Sequence, residues 1–323
     1  MKKCITNPLA NIPVNVKSHS FGWANQWSEL LNADIDHKCS NNINTYDIVY
    51  IDHGVNFTGS LNLFGGLSED IYNKFNNLMT CKNIISLDHE MPDYGAMFLQ
   101  RLHAKSTFNK INLDWCLEVS RLCRSINKIN INDIDYEGVT IGDSHSIAFS
   151  KKKDLILKMD GKTLYGQLGI PFINYLNDID LDKVKRITMC FGSIDVRHHI
   201  LRKNIDVTAL LLPYIEKCKE LQYITNIPVE IAVPVPVEYE DRRIPKTGYY
   251  KGQPFYGSIQ ERQNITAFII KLLKDNHDKV VTPPMSWYFM DPEEYAKTKM
   301  ELNSSVHIAP VNYRRNNWGI YES

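Results

Sequence analysis

Three short segments carry residue types that could act together on a substrate. The first is Ile141-Gly142-Asp143-Ser144-His145-Ser146, directly after the apolar run Gly138-Val-Thr-Ile141. A serine just past a strand end, beside a glycine, can sit on the tight turn that leads into a helix. Its hydroxyl is then exposed and its own N–H points at the same spot, so one residue supplies both nucleophile and oxyanion donor. The competing reading is that Asp143 and Ser144 only cap that helix. The second segment, Phe191-Gly192-Ser193-Ile194-Asp195-Val196-Arg197-His198-His199, again follows a strand-like run. Adjacent histidines point in divergent directions and no carboxylate-rich motif accompanies them, so solvated surface histidines are expected there and no metal. The third is Asn303-Ser304-Ser305-Val306-His307-Ile308-Ala309-Pro310. Its lone histidine, His307, is either a structural residue or a general base.

In chain order, Gly-Asp-Ser at one strand, Gly-x-x-Asp at a later one and a late Val-His resemble the blocks of the SGNH (GDSL-like) hydrolase superfamily, over roughly residues 138–310. The resemblance implies a flavodoxin-like three-layer α/β/α domain and ester hydrolysis or acyl transfer. It makes Ser144 the nucleophile and His307 the base. It also places Gly161, in Asp160-Gly-Lys-Thr-Leu-Tyr-Gly166, in the block whose glycine N–H helps hold the oxyanion, with Gly166 as second choice.

Two positions depart from that family's pattern. Ile194 stands where an asparagine usually donates to the oxyanion, and its side chain has no donor. Loss of such a donor costs roughly 3–4 kcal/mol of transition-state stabilisation in other enzymes. Ser304 stands where an aspartate usually orients the histidine, which leaves Ser304 itself, a backbone carbonyl or Asp291 to fix the tautomer. The Gly-x-Ile-Asp-x-Arg form is similar to a divergent branch found in bacterial and phage proteins, in which Asp195 and Arg197, with Asp143, support the site. The planar fork of Arg197 suits a carboxylate or phosphate. An ion pair with Asp195 or another nearby acid explains it equally well.

Residues 234–257 form a long insertion after a strand-like run. Connections of more than about 12–15 residues are usually functional or disordered. Arg242, Arg243, Lys246 and Lys251, interleaved with Tyr249, Tyr250 and Tyr256, are expected to form a substrate lid able to clamp an anionic or aromatic group. The acids Glu238, Glu240 and Asp241 would make it a self-paired surface loop instead. In the N-terminal half, His53 and Asp88-His89-Glu90 each follow a strand-like run, but three consecutive residues cannot all face one ion from regular structure. No phosphate-binding glycine loop is present, Phe64-Gly-Gly66 being too short a signal.

These segments need elements to hold them. The first third alternates strands and helices: strands at 13–17, 46–52 and 83–87, and helices at 23–31, 68–79, 94–103 and 113–126. Ser68 with acids behind it suits a helix start. The polar stretch 128–137 marks a boundary, so a smaller N-terminal α/β domain of unknown role (1–134) is expected to precede an SGNH-like domain (135–323). Strands at 138–141, 185–191, 227–233 and 279–282, with helices at 207–221 and 259–275, suggest a doubly wound sheet whose crevice lies at the strands' carboxyl ends. No internal repeat is visible.

Composition bounds the function. The 323 residues are 43% hydrophobic and 23% charged, and the 37 basic residues balance 37 acidic ones. That excludes disorder over most of the length and a global field for a polyanion, so nucleic acid is not indicated. No apolar run of about 18 residues predicts a membrane span. The first residues lack the apolar run of a secretory signal, and the seven cysteines are scattered without a C-x-x-C. A cytoplasmic protein acting on a small-molecule, glycan- or nucleotide-linked substrate without a cofactor is the expectation. Two other classes compete with an esterase or acyltransferase. One is an assembly or binding protein impaired at Ile194 and Ser304. The other is a two-domain transferase using a nucleotide-linked or sugar substrate.

Overall fold

The structure, a computed structural model, describes residues 1–6, 19–36, 38–40, 42–51, 68–87, 108–159, 161–237, 251–253, 256–301 and 305–319. The chain is mixed α/β and divides into two compact units, Met1–Asn15 with Trp23–Ile134, and Val16–Gly22 with Asp135–Ser323. Up to Ile134 the described elements run β1 (Lys3–Thr6), α1 (His19–Leu31), β2 (Asp34–Ile35), β3 (Ile48–Ile51), α2 (Glu69–Met79), β4 (Ile84–Ser86), α3 (Leu113–Ser125) and β5 (Asn127–Lys128). The strands form one parallel sheet in the order β2-β1-β3-β4-β5.

Local sequence explains why α2 and α3 form. The Ser68 side chain accepts from the Ile71 N–H, and Glu69 and Asp70 occupy the first turn, where the helix dipole favours negative charge. Ile71, Phe75 and Leu78 recur at helical spacing and bury one face of α2. They join Val49 and Ile51 of β3 and Trp115, Val119 and Cys123 of α3 in one apolar cluster. Asn112 caps α3, and the Trp115 Nε1–H donates to Asn76 Oδ1 at 2.9 Å, which satisfies the ring's polar edge.

From Asp135 onward the order is β6 (Gly138–Gly142), α4 (Ser146–Phe149), β7 (Asp154–Lys158), α5 (Leu164–Gln167), β8 (Ile187–Cys190), α6 (Ile200–Lys203), α7 (Val207–Thr225), β9 (Val229–Ala232), α8 (Ile259–Asn276), β10 (Val280–Val281), α9 (Met285–Phe289) and α10 (Pro292–Lys299). Asp195–His199, just before α6, is a single wide π turn, a form often found at functional sites. The sheet is parallel throughout, in the order β10-β9-β8-β6-β7. Its direction of growth reverses between β6 and β8. Both strands are buried along their whole length, as central parallel strands covered on two faces must be.

Several elements differ from the sequence expectation. β1 and β7 form where no strand was expected. Cys4 and Ile5 are fully buried between β2 and β3, and Leu155 and Ile156 bury beside β6 although charges flank them. The expected strand at 13–17 and helix at 94–103 lie outside the described residues, as do His53, Phe64-Gly-Gly66 and Asp88-His89-Glu90. The two sheets share a strand order that no sequence repeat announced. No described helix is long and apolar enough to cross a membrane.

The C-terminal turns are tied to the second sheet through Glu230 of β9. Its carboxylate accepts from Arg314 Nη1 at 2.7 Å and from Thr188 Oγ1 at 3.1 Å, with Lys151 Nζ at 3.7 Å. Burial alone would raise its pKa, but Arg314, Lys151 and Thr188 outweigh burial and hold it below the ordinary glutamate value. A depressed folded-state pKa stabilises the protein above the unfolded value, and that stability is lost as pH falls through the folded one. Arg314→Met should therefore lower stability by about 2–3 kcal/mol at pH 7, because it leaves a largely buried carboxylate unpaired. In urea titrations the difference from wild type should shrink steadily below about pH 4.5.

Candidate active site

At the end of β6, Gly142 lies so close to the end of β8 that a Cβ there would collide with the Cys190 carbonyl. Only glycine lets the two central strands pass. The chain then folds back on itself. The Asp143 N–H donates to the Cys190 carbonyl at 3.0 Å, and the Asp143 carbonyl accepts from the Ser146 N–H at 3.0 Å. The fully buried Asp143 carboxylate accepts the His145 N–H at 2.9 Å. These bonds make a tight turn with Ser144 half-buried at its corner and buried residues on either side. No side chain caps α4. Asp143 braces the turn instead, so the reading of Asp143 and Ser144 as simple helix caps is corrected.

His307 reaches the same place from the far end of the chain, its Nε2 lying 2.9 Å from Ser144 Oγ. An antiparallel bridge pairs Met300 with Ile308, the Glu301 N–H donates to the His307 carbonyl at 3.0 Å, and the Ala309 N–H donates to the Lys299 carbonyl at 2.8 Å. In that register Glu301 and His307 are directly opposite, so their side chains leave the same face. Glu301 Oε1 lies 3.6 Å from His307 Nδ1, an ion-pair distance rather than a short hydrogen bond. Ser305 Oγ donates to Glu301 Oε1 at 2.8 Å and accepts the His307 N–H at 3.0 Å, which fixes both residues against one hydroxyl.

Glu301 is the residue that sequence reasoning missed. The expected orienting groups were Ser304, a backbone carbonyl or Asp291. Ser304 lies outside the described residues, and Asp291 spends its carboxylate on the N–H groups of Glu293 and Glu294 at the start of α10. The Glu-x5-His spacing was visible, but it acquires meaning only once the hairpin register is known.

Gly161, Asp195 and Arg197 follow the carboxyl ends of β7 and β8, the strands on either side of β6. Gly161 has φ +70 and open space where a Cβ would stand. β7 pairs Lys158 with Gly142, and the Met159 N–H donates to the Gly142 carbonyl at 2.7 Å, so the chain carrying Gly161 leaves the sheet beside the strand that carries Ser144. Among the described residues, neither the Ser144 nor the Gly161 N–H donates to another group. The Gly166 N–H is taken by Thr163 Oγ1 at 3.0 Å, which removes the second choice for an oxyanion donor.

After β8, Gly192 turns the chain at φ +109, a conformation that favours glycine. Asp195, buried, accepts from the Leu164 N–H at 2.7 Å and the Tyr165 N–H at 3.3 Å, so it anchors α5 and the loop containing Gly161. Arg197 is buried, and its Nη1 faces the Ser193 carbonyl at 3.1 Å and His145 Nε2 at 3.3 Å. His198 and His199 are half-buried rather than solvated, with His199 Nδ1 3.7 Å from Asp195 Oδ1. Ile194 is half-buried.

The lid residues Arg242, Arg243, Lys246, Tyr249 and Tyr250, with Glu238, Glu240 and Asp241, lie outside the described residues. Of the same insertion, Tyr256 is described and stacks 5.5 Å from the Arg202 guanidinium. An apolar cavity of about 110 Å³ between the segment after β9, α8 and α9 is lined by Trp287, Phe289 and Met290, and by none of Ser144, Gly161, Glu301 or His307.

Competing nucleophiles are weak. Burial pushes the Cys81 thiol up to about 11 and Cys4, Cys39 and Cys123 up to about 12, and it raises Cys116, Cys190 and Cys218 as well. All seven thiols are therefore protonated at neutral pH and poor nucleophiles. No group of three or more His, Cys, Asp or Glu among the described residues is arranged to hold a metal ion.

The chain matches no protein-family model and no curated protein sequence. The geometry of the site therefore carries the functional reading.

Because the Gly142 contact is with backbone, it cannot be relieved by a side-chain rotation. Gly142→Ala should cost about 2–3 kcal/mol in equilibrium urea unfolding, in the range expected for overpacking a buried site. Wild-type stability in that variant would show that the strand ends are not this close.

Proposed function

We propose that the protein is a serine-dependent esterase or acyltransferase of the SGNH type. The observation that carries this reading is the 2.9 Å contact between Ser144 Oγ and His307 Nε2, with the Glu301 carboxylate facing the other ring nitrogen. A nucleophile, a base and an orienting carboxylate in that sequence are what activated serines require. The strand order supports it too. Numbered within its own unit, the sheet runs 2-1-3-4-5, the order of flavodoxin-like doubly wound folds. Such sheets bind their ligands at the switch point, here between β6 and β8, whose carboxyl ends lead into Ser144 and Asp195.

The chemistry then runs as follows. Ser144 Oγ attacks an acyl carbonyl while His307 Nε2 takes the hydroxyl proton. The oxyanion of the tetrahedral intermediate is held by the N–H groups of Ser144 and Gly161. Collapse breaks the bond to the leaving alcohol, which receives the proton from His307 and leaves an acyl-serine. Water or an acceptor alcohol, deprotonated by the same imidazole, attacks the acyl carbon; collapse breaks the bond from that carbon to Ser144 Oγ, which takes the proton back from His307. Glu301 offsets the positive charge on the imidazole in both halves. Ile194 adds no donor, so the oxyanion depends on backbone N–H groups alone.

A fluorophosphonate probe reports this chemistry without knowledge of the substrate. Wild type should be labelled stoichiometrically, and Ser144→Ala and His307→Ala should abolish labelling while remaining folded by circular dichroism. Glu301→Gln should slow labelling by roughly 10²–10⁴-fold, since it keeps the shape but removes the charge. Absence of labelling in folded wild-type protein would overturn the reading and favour the catalytically impaired binding protein.

A further inference from the structure

The acyl-transfer steps make no use of the apolar cavity beside α8 and α9. Two of its walls are segments that leave neighbouring strands at their carboxyl ends, Pro236 and Val237 after β9, and α9 with Met290 after β10. Gln263, Thr266, Ala267 and Ile270 of α8 complete it. Open parallel sheets bind their ligands beyond the carboxyl ends of the strands. The cavity thus lies at the end of the sheet where a ligand is expected, on the β9–β10 side rather than at β6.

Its walls are fixed by contacts that a ligand need not supply. The Tyr288 hydroxyl donates to the Pro234 carbonyl at 2.7 Å, which ties α9 to the segment after β9. Trp287, 5% exposed, packs against Trp318 and Tyr295 with ring centroids at 5.9 and 6.3 Å. Thr266 Oγ1 donates back to the Arg262 carbonyl at 2.9 Å. Both hydroxyl protons are therefore spent inside the protein, and none of the described residues lining the cavity is charged. A charged group placed there would lose hydration without gaining a counter-ion. Hydrocarbon would gain contact with Trp287 and with the adaptable side chains of Met285 and Met290. Phe289 is 83% exposed and Met285 37% exposed, so the mouth of the cavity is apolar as well. Apolar surface exposed beside a preformed cavity is the pattern of a ligand-binding groove.

We propose that this cavity binds the uncharged, apolar end of a small molecule, whose polar remainder leaves past Phe289 and Met285. Its volume of about 110 Å³ sets the size of that end. A cavity of about 150 Å³ takes a benzene ring, so this one holds roughly four to six carbons. None of Ser144, Gly161, Glu301 or His307 lines it, so the site stands apart from the serine reading. Two sources can supply such a group, the apolar part of the ester itself or a separate molecule.

Hexan-1-ol titrated into the full chain, with its methionine methyl groups ¹³C-labelled, reads the site directly. The Met285 and Met290 signals, assigned through Met285→Leu and Met290→Leu, should shift together and saturate, while that of Met189, buried in β8, stays in place. Ala267 lines the cavity from an exposed position of α8, so Ala267→Phe should fill it and weaken binding at least tenfold. Phe289→Ala, at the exposed mouth, should weaken it several-fold without a loss of folding. No saturable shift in wild type, or unchanged binding in either folded variant, would overturn the proposal. Labelling rates then separate the two sources. If Ala267→Phe removes a preference for octyl over ethyl fluorophosphonate, the cavity takes the substrate's own chain; an unchanged ratio assigns it to a separate molecule, and the site stands in both cases. If wild type is not labelled at all, the serine reading fails, and the methionine shifts still decide whether the site exists.

Discussion

The hydrogen bond between Ser144 and His307 joins residues 163 positions apart, and each end is fixed by a different kind of structure. The serine end is held by the centre of a parallel sheet. β6 and β8 are buried throughout, their carboxyl ends approach until only glycine fits at residue 142, and Asp143 closes the turn with bonds to its own segment and to β8. The histidine end is held by a small hairpin anchored through Met300 and Ile308, both buried, with the Asp291-capped α10 leading into it. A catalytic contact loses its value with an error of about an ångström. Backbone bonds, rather than loop side chains, therefore set the position of both partners.

Charge at the site is managed by pairing every buried ion with a specific group. Asp143 and Asp195 face backbone N–H groups, Glu301 faces an imidazole and a hydroxyl, and Arg197 faces a carbonyl and a second imidazole. An unpaired charge at such depth costs several kcal/mol, so these arrangements tolerate little substitution. Asp195 shows how one carboxylate can serve geometry rather than chemistry. By holding the first N–H groups of α5 from across the sheet, it fixes the loop where Gly161 adopts a positive φ. The wide turn at Asp195–His199 lets that carboxylate and the Arg197 guanidinium, two residues apart, serve α5 and His145 respectively.

Legibility in the sequence tracked how local each cause is. The Ser68 cap and the Ile71, Phe75 and Leu78 stripe announce α2 because both act within a few residues. The Gly-Asp-Ser segment was readable because the turn it makes depends on the strand end beside it. β7 was not, since Lys151, Lys152 and Lys153 mask a strand whose burial comes from pairing with β6. Glu301 escaped for the same reason, as its place opposite His307 is a property of antiparallel register and not of spacing along the chain. For Arg197 the sequence left an anion receptor and an ion pair with Asp195 or another nearby acid equally open, because its depth is decided by the packing around the π turn. Sequence alone had no means of weighing that burial.

Ile194 sets the remaining constraint on chemistry. Its backbone is helical, at φ −70 and ψ −38, and its side chain is half-buried; on the serine reading it stands where the resemblance expects a donor. A missing donor of that kind is worth roughly 3–4 kcal/mol, or 10²–10³ in rate. On that reading only backbone N–H groups remain to hold the oxyanion. They do not replace a third donor. On the serine reading, such a site works best on acyl donors with good leaving groups. Those reach the transition state with less charge to be stabilised on the oxyanion, so two donors and a correctly held base suffice.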